Sequence, residues 1–68
     1  MNRYHIRYRK HGNPYPVNAW VDARSALQAV YFYIRRVPGD RWLMGLFKKG
    51  DPSIEVTMEK GMEQLALF

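Results

Sequence analysis

Six side chains near the start of the chain can handle phosphate: His5, Arg7, Tyr8, Arg9, Lys10 and His11. An imidazole can act as general base or acid toward a ribose hydroxyl. Guanidinium and ammonium groups can hold the charge of a phosphorane. Metal-free RNA cleavage is therefore one chemistry the composition allows. Nothing else catalytic is written in the chain. Cysteine is absent, and there is no Gly-rich phosphate loop and no Gly-x-Ser-x-Gly elbow. Two histidines without cysteine lack metal-ligand spacing, so neither a metal nor a cofactor is expected. Ordinary strand and loop positions account for His5 and His11 equally well, and the non-enzymatic reading is preferred.

The elements that must carry these groups follow from periodicity. Over residues 4–9, Tyr4, Ile6 and Tyr8 alternate with His5, Arg7 and Arg9, the pattern of a half-buried strand. Residues 10–16 are dense in Gly, Asn and Pro and read as a loop. A second strand over 17–21 puts Val17, Ala19 and Val21 on one face, with Asn18 and Trp20 on the other. The two strands can pair across a loop of about seven residues. A helix over 23–37 is expected, capped by Asp22 and stopped by Pro38-Gly39. Its core stripe would be Ala23, Ala26, Leu27, Val30, Tyr33, Ile34 and Val37, leaving Arg24, Gln28, Phe32 and Arg35 opposite.

Residues 42–48 are apolar on both faces and read as a third, central strand. Asp40 and Asp51 fall in the turns on either side. Ile54, Val56 and Met58 alternate with Glu55, Thr57 and Glu59, a fourth strand pairing with the third. The expected fold is α+β and two-layered, a single helix on an antiparallel sheet of about four strands in the order β-β-α-β-β. Residues 1–61 would form one domain, and residues 62–68 a short amphipathic tail.

Charge is uneven. Residues 1–49 hold ten of the eleven basic side chains and only Asp22 and Asp40, a surplus of eight. Residues 50–68 hold Lys60 against Asp51, Glu55, Glu59 and Glu63, a deficit of three. A basic body suits a polyanion or an acidic protein. With 68 residues and no disulfide, the chain buries only about 60% of its unfolded surface, so a partner or a second copy would help it. No apolar run is long enough to span a membrane. The first residues lack the apolar stretch of a secretory signal, so a cytoplasmic location is expected.

One helix covers one sheet face. Arg3, His5, Arg7, Arg9 and Trp20 should line the other, where Arg forks grip phosphate and aromatic rings stack on bases or anchor a protein hot spot. Glu55 and Glu59 share that face and would offset the arginines. The back of the helix offers Phe32 between Arg24 and the Arg35-Arg36 pair, unless Leu65 and Phe68 of the tail cover it. The partner-binding residues inferred are Arg7, Arg9, Trp20, Phe32, Arg35 and Arg36.

The β-β-α-β-β order of this basic chain, with its Ala-rich helix opening at Ser25-Ala26-Leu27-Gln28-Ala29, resembles very small proteins encoded by phages and mobile elements. Some type I anti-CRISPR proteins are among them. The resemblance implies a stoichiometric inhibitor that docks on a crRNA-guided effector and blocks target DNA. It carries over no individual residue, because no motif matches. The expected function is thus a non-enzymatic binding protein for a nucleoprotein complex. The alternatives are a sequence-tolerant DNA- or RNA-binding module and a ribonuclease. Protein and nucleic acid are both candidate partners, a homodimer is compatible with the short chain, and no membrane is involved.

Overall fold

The computed structural model describes residues 1–59. The alternation at the N-terminus produces β1, Asn2–Tyr8, with Tyr4, Ile6 and Tyr8 buried and Arg3 and Arg7 exposed. β2, Val17–Ala23, pairs with it antiparallel, so that Tyr4 faces Val21 and Ile6 faces Ala19. The loop between them turns at Gly12, whose φ of 82° suits glycine.

The helix starts later than expected. The Val17-Ala19-Val21-Ala23 alternation keeps the chain extended through Asp22, which lies opposite Arg3 in the sheet rather than capping a helix. Ser25 is the cap instead: its Oγ accepts from the backbone N–H of Gln28 at 3.1 Å, while Gln28 Oε1 accepts from the N–H of Arg24 at 2.7 Å. This reciprocal pair is close to a capping box. α1 runs Ala26–Arg36 and ends before Pro38, with Arg35 and Arg36 at the negative end of its dipole.

Residues 42–48 are not a strand. After a 3-10 turn, Pro38–Asp40, the chain forms a second helix, α2, Trp42–Lys49. The residues explain it: Trp-Leu-Met-Gly-Leu-Phe-Lys-Lys contains no β-branched side chain, and Leu, Met and Lys are good helix formers. Lys48 and Lys49 suit the last turn. Gly50 closes it at φ 71°, with its N–H directed to Leu46 and Phe47. Two apolar faces thus reflect a helix with Leu43 in the core and Met44, Leu46 and Phe47 half-buried around it.

β3, Ile54–Met58, has the expected alternation and a different partner. With no strand at 42–48 to receive it, it pairs antiparallel with β1, bringing Ile54 opposite Tyr8 and Glu55 opposite Arg7. Among the described residues the sheet therefore has three strands, in the order β2-β1-β3. The fold is α+β, as expected, with two helices in place of one and, among the described residues, three strands in place of about four. The core is Tyr4, Ile6, Tyr8, Val21, Ala23, Ala29, Val30, Tyr33, Leu43 and Ile54. The tail assigned to 62–68, with its proposed cover over Phe32, lies outside the described residues.

Gly45 sits inside α2, and a Cβ built there meets nothing within 4 Å. Gly45→Ala is expected to stabilise the protein by about 0.5–1 kcal/mol in urea unfolding, the helix-interior difference between the two residues. A loss of stability would speak against a helix at this position.

Candidate functional site

The open sheet face is organised around Trp20. Its ring stacks on His5 with centroids 4.9 Å apart and planes 20° from parallel. The indole Nε1 donates to Glu59 Oε1 at 2.6 Å, and His5 Nε2 lies 2.7 Å from Asn18 Oδ1. Trp20 remains 46% exposed. Register places Arg7 between Asn18 and Glu55, and Arg3 beside Asp22. Arg9 lies just past β1. With Arg7, Pro16, Pro52 and Glu55 it lines a polar hollow of about 290 Å³ at the end of the sheet.

Arg35 and Arg36 lie on the other layer, exposed in the last turn of α1. The Arg35 guanidinium sits 5.8 Å from the centroid of the Tyr31 ring. The residues inferred from sequence therefore fall on two faces: Arg7, Arg9 and Trp20 belong to the sheet side, Arg35 and Arg36 to the helical side. Phe32 belongs to neither surface. It is half-buried and packs against the core, while Leu27, expected in the core, is 49% exposed. The physical reason is α2: packed beside α1, it changes which side of the helix is covered.

The two layers differ in charge. On the sheet side, Arg3, Arg7 and Arg9 meet Asp22, Glu55 and Glu59, three of each sign. Lys10 and Asp40 pair with each other. Arg24, Arg35, Arg36, Arg41, Lys48 and Lys49 lie on the helices and the segments leading into them, against Asp51 alone among the described residues. Six against one leaves a surplus of five on the helical side of the described residues. Between α1 and α2 on that side runs a groove of about 490 Å³, walled by Leu27, Tyr31, Ile34 and Met44 and edged by Lys48.

In sequence Asp40 reads as a turn residue; in space it is the centre of a buried polar cluster. Asp40 is only 2% exposed. Tyr8 donates its hydroxyl to Asp40 Oδ2 at 2.5 Å and also lies 2.7 Å from the Tyr33 hydroxyl. The Lys10 ammonium stands 3.0 Å from Asp40 Oδ1. The Tyr8 hydrogen bond, followed by Lys10, holds the carboxyl below its usual range against the opposing effect of burial. Burial, together with the Asp40 and Tyr33 bonds, pushes the Tyr8 phenol upward. Tyr8 therefore faces away from His5 and is committed to this network, which takes it out of the phosphate-handling set. The partners are far apart in sequence, so no local pattern marks the cluster.

Comparison with protein-family models, curated proteins and solved structures finds no match for this chain. Among the described residues no helix is long and apolar enough to cross a membrane, and no group of three or more His, Cys, Asp or Glu is placed to hold a metal ion.

A carboxyl with a lowered folded pKa contributes stability above its unfolded pKa, and that contribution is lost as pH falls through the folded value. Asp40→Asn is therefore expected to cost about 1–2 kcal/mol near neutral pH and to flatten the acid limb of stability between about pH 5 and pH 2. Asp51, held low by Ser53, keeps part of that limb. Urea midpoints across the pH range measure it, and parallel curves for the two proteins would refute the assignment.

Proposed function

We propose that this chain is a non-enzymatic binding protein that docks on a nucleoprotein complex and blocks it, with the helical layer as its docking face. The observation that supports this reading is the segregation of charge. Among the described residues the sheet side is balanced, while the helical side carries a surplus of five around an apolar groove. Cations without local counter-charges accelerate encounter with an anionic target, and exposed apolar and aromatic side chains slow its departure. Arg35 and Arg36 are the steering pair. A protein seated in this way excludes nucleic acid by occupancy and needs no chemistry. The resemblance to type I anti-CRISPR proteins rests on the order β-β-α-β-β, of which the structure keeps the opening β-β-α and the Ala-rich α1 but has a helix at the fourth element; a type I crRNA-guided effector is the target that resemblance suggests.

A second reading rests on a different observation. The His5–Trp20 stack is partly exposed on a sheet face that also carries Arg3 and Arg7, an arrangement that suits an unpaired base and its phosphate. As a sequence-tolerant nucleic-acid module, the protein would bind oligonucleotides with a steep salt dependence.

The test is plasmid transformation in cells whose type I CRISPR immunity targets the plasmid. Wild-type protein is expected to restore transformation, and Arg35→Glu/Arg36→Glu to lose that effect with an unchanged circular dichroism spectrum. Full protection by the double variant, or no protection by wild type, would overturn the reading.

A further inference from the structure

Beside its core face α1 carries an apolar row that is only partly covered: Ile34 packs on the core, while Leu27 and Tyr31 stay half-exposed. Ala29, Val30 and Tyr33 are buried against the sheet. Leu27, Tyr31 and Ile34 form a second row at spacings of four and three residues, with Leu27 and Tyr31 each 49% exposed. Met44 faces this row from α2, closing the groove of about 490 Å³. Leu27 to Ile34 spans about 10 Å of helix axis, two turns.

Charge identifies the occupant. Neither Ala26–Arg36 nor Trp42–Lys49 contains an acidic residue. Lys48, in the last turn of α2, edges the groove. Arg35, over the Tyr31 ring, stands in the last turn of α1. An occupant must therefore offer an apolar ridge with negative charge beside it. A second copy seated groove to groove would set Arg35, Arg36, Lys48 and Lys49 against their own equivalents, a like-charge juxtaposition. A nucleic acid would satisfy the cations and leave the apolar walls exposed.

We propose that the groove between α1 and α2 binds an acidic amphipathic helix of a partner protein, apolar side chains at i, i+3 or i+4, and i+7 entering between Leu27, Tyr31, Ile34 and Met44. Carboxylates flanking that ridge meet Lys48 and Arg35. This deepens the proposed function, and it rests on the helical layer being the docking face.

The probe is a fluorescein-labelled, helix-forming peptide about four turns long, with Leu at those spacings and Glu on the flanking positions. Its control carries Lys in place of each Glu. The acidic peptide is expected to bind the full chain at least about tenfold more tightly than the basic one. It should shift the amide resonances of Leu27, Tyr31, Ile34, Met44 and Lys48, and Leu27→Glu should abolish binding while keeping the folded spectrum. Equal binding of both peptides, shifts confined to β1–β3, or displacement of the peptide by duplex DNA would each overturn the proposal. So would a wild-type dimer in sedimentation that Leu27→Glu turns monomeric. Loss of blocking by Arg35→Glu/Arg36→Glu, with blocking retained by Leu27→Glu, would leave the docking layer standing and remove the groove as its seat. No blocking by the wild type, while the acidic peptide still binds the groove, would remove the inhibitor reading alone, and blocking retained by both variants would remove the helical layer as docking face and the proposal with it.

Discussion

A single buried carboxylate ties the two layers together. Asp40 belongs to the 3-10 turn between the helices, Tyr8 closes the central strand, and Tyr33 lies in α1. The bonds from Tyr8 to Asp40 and Tyr33 pin the end of β1 to the point where the chain leaves α1 and begins α2. A buried ionised group is costly unless it is paired and hydrogen-bonded, and Lys10 with Tyr8 meets that need. The arrangement also specifies geometry. With Asp40 held there, α2 has to start beside α1, where Trp42 meets the Tyr8 ring edge-on at 5.9 Å. In a chain this small, with no disulfide, such a constraint has a large share in choosing one packing among several.

The placement of α2 decides the surface. Lying beside α1, it draws Phe32 partly into the core and leaves Leu27 and Tyr31 facing outward, so that an apolar groove opens between two helices that carry only positive charge. The sheet's free side has the opposite character. β3 brings Glu55 and Glu59 to that face, where Glu59 accepts from Trp20 and Glu55 lies opposite Arg7. Glu55 and Glu59, which in sequence look like part of an acidic terminus, are in space counter-charges of the sheet. Net charge and exposed apolar area therefore coincide on one layer only.

Much of this was legible in sequence where the signal is local. Period-two alternation located β1, β2 and β3 and their inward faces, since each strand buries one side. α1 was legible as an element, though its start was misplaced because Asp22 and Ser25 are both good caps. Only the strand pairing of Asp22 with Arg3 decides between them. α2 was misread because an apolar octet satisfies either period. The absence of β-branched residues and the Lys-Lys-Gly ending were the cues that favour a helix. The sheet order, the Asp40 network and the inward turn of Phe32 depend on contacts between residues distant in sequence, which no window contains.

The central claim, that the helical layer carries the uncompensated positive charge, can be measured without knowing the partner. Paired anionic and cationic nitroxide probes of equal size report local electrostatic potential through the relaxation of individual amides. The anionic probe is expected to relax amides of 26–36 and 42–49 more strongly than the cationic one, with near-equal effects along β1, β2 and β3. Preferential accumulation of the anionic probe on the sheet face, with none on the helices, would contradict the account.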